Sequence, residues 1–147
     1  MPHKHEWQSR IKAVERESIA IRQATERFIE QAQADPAILK GELRHREILF
    51  AYHRLEGTYT IRLFAEFETG LRSYWSSRWR SFPKTSDLLD SNAARCEIPD
   101  IQRRQAHSVR EFRNSLVHER DDAVEVVSLP TSRGHLCRFF SFLPQHW

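Results

Sequence analysis

Apolar residues along this chain recur at helical spacing nearly throughout, and the two-residue alternation of half-buried strands is scarce. Trp7, Ile11, Val14, Ile21, Phe28 and Ala32 fall on one line of alternating four- and three-residue steps, with Ser18 and Thr25 in the two remaining positions. That spacing predicts a long first helix with a coiled-coil-like seam. It ends before Asp35-Pro36, because a residue preceding proline is pushed out of the α region. A second helical region is expected from about Ala37 to Trp79, clearest where Leu63, Phe64, Phe67, Leu71, Tyr74 and Trp75 recur at three- and four-residue intervals. Gly41 and Gly57 mark places for a break or kink within it. Phe82-Pro83 stops the region, and Ser86 ahead of Asp87-Leu88-Leu89 reads as the cap of a short helix.

Residues Ser91 to Pro99 read as a connector. A third main helix follows from about Pro99 to Glu119, with the proline in its first turn and Ile101, Val109, Phe112 and Leu116 as its buried stripe. Asp121-Asp122 ends it. The last segment admits two forms. Val124 to Leu129 and His135 to Phe142 suit a hairpin around Thr131-Ser132-Arg133-Gly134. Leu136, Phe139, Phe140 and Leu143 also make a helix stripe, with Ser128 as cap, Pro130 in the first turn and Pro144 as stop. The helix is preferred. Without internal repeats or low-complexity stretches, residues 1–147 read as a single all-α helical domain.

Composition agrees with a modest core: 147 residues, 39% hydrophobic and 29% charged, the range of ordinary globular domains. No run approaches the length of a membrane span, and the opening Met-Pro-His-Lys-His-Glu lacks the apolar stretch of a signal peptide. A cytoplasmic protein with no membrane partner is expected. Cys96 and Cys137, far apart and without Cys-x-x-Cys spacing, read as two reduced thiols. The eight histidines form no His-x-x-x-His or His-Glu-x-x-His pair, so neither a metal nor a cofactor is expected. The net charge of +3 is less informative than its distribution. Arg72 to Lys84 holds four basic residues and no acidic one, and Ile101 to Arg120 holds five against Glu111 and Glu119. Such zones suit phosphate contacts, or simply solvated faces.

Opposite the apolar stripe of the third main helix runs a polar line, Arg103, His107, Arg110, Asn114 and His118, in steps of four, three, four and four. Asn114 and His118 are one turn apart and project together. Arg113 precedes His118 by five residues, about 140° round the helix, so only a long side chain reaches back toward the histidine's groove. Arginine has that reach, and its planar fork grips a phosphate at two points.

Arg113-Asn114-Ser115-Leu116-Val117-His118 resembles the arginine, polar residue, three variable positions and histidine of the HEPN superfamily. Phe67-Glu68-Thr69-Gly70-Leu71 is similar to the Phe-Glu-x-x-Leu stretch common on its preceding long helix. The resemblance implies an up-and-down bundle of four or five helices that forms a homodimer with two motifs along one cleft. Many members are metal-independent endoribonucleases, often toxins of toxin–antitoxin or phage-defence systems; others bind RNA or nucleotides without cutting. Metal-free cleavage needs a base for the 2′-hydroxyl proton, an acid for the leaving 5′-oxygen, and positive charge on the phosphorane-like transition state. Histidine serves as either acid or base near neutrality. His118 would take that role, Arg113 would stabilise the developing charge, and Asn114 would orient the histidine or hold a substrate oxygen. Only RNA carries the 2′-hydroxyl, so DNA would be spared. Glu68 is expected either to position the arginine or to pair with Arg72 one turn away.

Plainer readings stand beside these. A histidine suits any helix C-terminus, an arginine pairs with surface carboxylates, and an asparagine fills exposed positions. Arg103, His107 and Arg110 extend the polar line as substrate contacts at most. Tyr74, Trp75, Trp79 and Phe82, interleaved with arginines, suit base stacking, core or a dimer interface. The expected partners are RNA, a second copy of the chain, and an antitoxin or sensor protein. Some toxins of the family carry a tyrosine, nucleotidylated by a partner, two residues after the histidine. Residue 120 here is arginine, so that control has no support.

Overall fold

The computed structural model describes residues 3–118 and 123–147 and consists of five packed α-helices. They are α1 (Lys4–Ala34), α2 (His45–Ser76), α3 (Thr85–Arg95), α4 (Asp100–His118) and α5 (Leu129–Ser141), with a short 3-10 turn at Pro36–Ile38. No strand occurs among the described residues. No helix among them is long and apolar enough to cross a membrane.

α1 and α2 form an antiparallel hairpin, as their cross-contacts show. Glu17 pairs with Arg62 at 2.7 Å, Arg22 with Glu56 at 3.5 Å, and Glu26 accepts from Tyr52 at 2.7 Å. α5 lies against both. Lys4 donates to the carbonyls of Ser141 and Leu143, and Arg133 pairs with Glu15 at 2.6 Å. The core gathers Trp7, Ile11 and Val14 of α1, Leu63, Phe64, Phe67 and Leu71 of α2, Leu88 and Leu89 of α3, Val109 of α4, and Leu136, Phe139 and Phe140 of α5. Three shorter helices therefore cover one end of a hairpin whose members run about 46–48 Å.

That arrangement explains where the expected seam departs. Trp7, Ile11, Val14 and Ala32 are buried, but Ile21 is 43% exposed and no residue between Val14 and Ala32 is buried. Beyond Val14 only Ala32 of α1 is buried among the described residues, so the expected seam is not sealed along its length. The break in the second region is the turn before His45, where Gly41 adopts φ +66°, a conformation that favours glycine. Gly57 lies inside α2 without a break and lets the Leu116 side chain of α4 close in; a Cβ there would lie 3.3 Å from it.

Two boundaries move. α3 starts at Thr85 with Lys84 as its N-cap residue, so Ser86 lies in the first turn and is no cap. α3 also runs on to Arg95, which shortens the expected connector to residues 96–99. On α4, Ile101 is 53% exposed, and Ala106 joins Val109 in the buried stripe, with Phe112 and Leu116 half-buried below them. The last segment is a helix. The Ser128 hydroxyl accepts from the Thr131 amide at 3.2 Å, and Pro130 occupies the first turn. The expected end of the third main helix at Glu119 and Asp121-Asp122 falls outside the described residues.

Candidate functional site

α4 divides the polar line into two halves with different fates. In the first, Asp90 of α3 is the centre. Its Oδ1 accepts from Arg103 at 2.9 Å and lies 2.8 Å from His107 Nε2. Arg110 Nε donates to His107 Nδ1 at 3.2 Å, which leaves the proton of a neutral ring on Nε2, directed at Asp90. Arg103 also grips Asp100 at 2.8 and 3.0 Å, and Arg110 lies 3.6 Å from Glu111. Burial alone would raise the Asp90 carboxyl, but hydrogen bonds and charge from His107 and Arg103 outweigh it and hold the pKa below its ordinary value. Within the protomer, donors of Arg103, His107 and Arg110 are thus engaged by protein carboxylates and by each other. Asp90 carried no sign of this in the sequence, since only the α3–α4 packing brings it to the line.

In the second half the picture reverses. Arg113 falls on the inward side of α4, one turn below Val109, and is half-buried. Its guanidinium lies 5.7 Å from the centroid of the buried Phe64 ring. One terminal nitrogen donates to Asn114 Oδ1 at 3.0 Å, whereas Nε is buried without a hydrogen-bond partner. Among the described residues no carboxylate lies within 4.0 Å of it. His118 is the last residue of α4 and is exposed. Arg113 and Asn114 are thus brought together, but no hydrogen bond within the described protomer joins either to His118.

Glu68 resolves toward the plainer of its two readings. Its Oε1 accepts from Arg72 at 2.7 and 3.0 Å and from the Thr85 hydroxyl at 2.8 Å. It ties the end of α2 to the start of α3 through the pairing with Arg72 that its spacing offered, and it makes no hydrogen bond or ion pair with Arg113 among the described residues.

Beside Arg113, Phe112 and Leu116 form one wall of a groove of about 670 Å³. Gly57 and Ile61 of α2 line the opposite wall, Val126 and Val127 close one side, and His53 and Arg54 stand at the rim. Glu56, Thr58 and Ser128 complete a lining that is part polar and part apolar, and Arg113 itself is not among the residues that face it. Sequence reading missed this groove, because its walls come from α2, α4 and the segment before α5. Among the described residues no group of three or more His, Cys, Asp or Glu side chains converges as a metal would need. Compared with protein-family models, curated proteins and solved structures, the chain matches none.

Proposed function

We propose that the chain is a HEPN-like, metal-independent endoribonuclease that works as a homodimer, with Arg113 on the scissile phosphate and His118 as general acid or base. The observation that carries this reading is the Arg113 guanidinium. It is half-buried, unmatched by any described carboxylate, and has Nε pointing at no acceptor. Among the described residues such a cation has no counter-ion, and a phosphodiester would supply one at two points of the planar fork.

The chemistry follows from the residue types. A base removes the 2′-hydroxyl proton, the 2′-oxygen bonds to phosphorus, and the bond to the 5′-oxygen breaks as an acid protonates it. The products are a 2′,3′-cyclic phosphate and a 5′-hydroxyl. The two proton transfers are served best by two imidazoles, and one protomer offers a single His118. A second copy provides the other. Exposed Val117 and Val126, 42% and 76% accessible, flank this end of the molecule and offer apolar surface for such a partner. A role as the toxin of a toxin–antitoxin or phage-defence system, held in check by an antitoxin or sensor protein, follows the same resemblance.

The decisive experiment incubates pure protein with total RNA in EDTA, alongside His118→Ala. Cleavage by the parent only, ending in cyclic phosphates and rising more steeply than in proportion to protein concentration at high dilution, is the expected result. Cleavage that requires a metal, or that survives His118→Ala, refutes the mechanism. A second reading, RNA or nucleotide binding without cutting, draws on the missing link between Arg113 and His118 in one protomer. RNA binding that weakens with salt, without any cleavage, would favour it.

A further inference from the structure

The loop between α2 and α3, residues 77–84, holds an aromatic ring out in water on a fixed backbone. Phe82 is 89% exposed. The residues on either side of it are pinned. Trp75 Nε1 donates to the Ser81 carbonyl at 3.0 Å, and Arg72 donates to the Pro83 carbonyl at 3.0 Å. Arg72 is itself anchored by Glu68 at 2.7 Å, and Glu68 also accepts from Thr85. The Phe82 ring therefore stands out because its flanks are tied down. Beneath it, Phe82, Pro83 and Trp75 wall a mainly apolar cleft of about 300 Å³.

Around that ring the charge is of one sign. Arg78, Arg80 and Lys84 are exposed, and among the described residues none pairs with a carboxylate. No acidic residue occurs from Arg72 to Lys84. The other aromatics of the segment are engaged inside: Tyr74 and Trp75 are buried, and Trp79 lies 4.3 Å from Trp75 with the Arg95 guanidinium 4.4 Å above it. Phe82 alone is left to meet a ligand. A free flat π-face on a loop with three exposed cations, of which Arg78 also lies 5.6 Å from the Tyr74 ring centroid, matches a chain that alternates flat rings with negative charge.

We infer that the α2–α3 loop is a contact for single-stranded nucleic acid. An unpaired base stacks on Phe82 over the cleft, and the neighbouring phosphates meet Arg78, Arg80 and Lys84. Stacking is tolerant of sequence and sugar, so RNA and DNA strands should bind alike, whereas a duplex hides its ring faces. The loop is roughly 24 Å along α2 from the groove beside Arg113, counting from Gly57 to Ser73. It is thus a second site, independent of whether Arg113 and His118 cut.

The test measures binding of fluorescent, unstructured oligonucleotides to the full chain carrying His118→Ala, with and without Phe82→Ala. Loss of the ring should weaken binding of RNA and DNA strands by roughly 5- to 100-fold, and Phe82→Trp should restore it. Replacing Arg78, Arg80 and Lys84 together by alanine should lower the slope of log affinity against log salt by about 2. Thermal unfolding of Phe82→Ala should match the parent, since the ring contacts mostly water. Unchanged affinity in Phe82→Ala, or a duplex bound as tightly as single strands, overturns the proposal. Phe82-dependent binding by a protein that cuts nothing would leave this site standing while the nuclease reading fails. Cleavage unaffected by Phe82→Ala, with unchanged binding, would do the reverse.

Discussion

Arg113→Met separates a residue kept for chemistry from one kept for the fold. Methionine follows the arginine stem as far as Nε while removing the charge and every donor. The buried Nε without a partner is a burden of about 1–3 kcal/mol that the substitution lifts. Against it stand the bond to Asn114 at 3.0 Å, about 1 kcal/mol, and the cation–π contact with Phe64, about 0.5–1 kcal/mol. A thioether over the same ring recovers about 0.3–1.5 kcal/mol of the latter. Because Arg113 is only half-buried, each figure belongs at the low end of its range. The expected balance lies between neutral and about 1 kcal/mol of added stability, or a Tm up to about 2–4 °C higher for a chain of this size. Loss of a donor to the transition state should meanwhile lower RNA cleavage by about 10²–10³. Thermal melts and single-turnover cleavage on the same preparation measure both. A Tm more than a few degrees below the parent would show that the guanidinium holds the fold together, and the reasoning from an uncompensated cation would collapse.

Other consequences concern the scaffold. At Gly70 a Cβ would lie 2.8 and 2.9 Å from Phe140 ring carbons and 3.0 Å from Trp7. Gly70→Ala should therefore lose about 1–2 kcal/mol after the gain of about 1 kcal/mol in helix propensity, whereas Gly57→Ala, facing the flexible end of Leu116, should be neutral or stabilising; equal denaturation midpoints would contradict this. Asp90 titrates below its ordinary value, so its contribution to stability is present above its unfolded pKa and lost as pH falls through the folded one. Urea unfolding should place Asp90→Asn below the parent at neutral pH and bring the two together only once pH has fallen past the lowered pKa of the folded state; no difference at neutral pH would remove Asp90 from the network. Burial pushes the Cys137 thiol up, so alkylation of the native protein should reach half-buried Cys96 first and Cys137 only on unfolding, an order that peptide mapping reads directly.

Helix type and order were legible because each main helix buries a stripe that its own spacing announces. Leu63, Phe64, Phe67 and Leu71 repeat at helical intervals and lie at the centre of the core. The α5 choice was legible for a local reason too: Ser128 and Pro130 suit a helix start and have no use in a strand. What local spacing could not supply was how much of each stripe finds a partner. Ile21 and Ile101 have the right period, yet they lie where no neighbouring helix reaches. The same holds for the polar line. Arg103 and His107 looked open along α4 because Asp90, which occupies them, comes from another helix. Lys84 in place of Ser86 as the α3 N-cap residue shows the smaller uncertainty of a helix start, where preference for a cap yields to the backbone geometry of the preceding loop.

The positive zone from Ile101 to Arg120 thus divides by charge compensation. Its N-terminal half is balanced within the protein: Asp100 meets both Arg103 and Arg104 at 2.8–2.9 Å, and Asp90 meets Arg103 and His107. Farther along, Arg113 meets no carboxylate among the described residues, and His118 is exposed at the helix end. Among the described residues no carboxylate neutralises Arg113 as Asp100 neutralises Arg103 and Arg104, and a half-buried cation left so is unfavourable. The two groups also diverge by about 140° on α4, so one phosphate meets both only across the helix end or between two copies. For the proposed nuclease an external anion would complete the charge balance at Arg113, and a second copy is one of the two arrangements that would let it meet His118 as well.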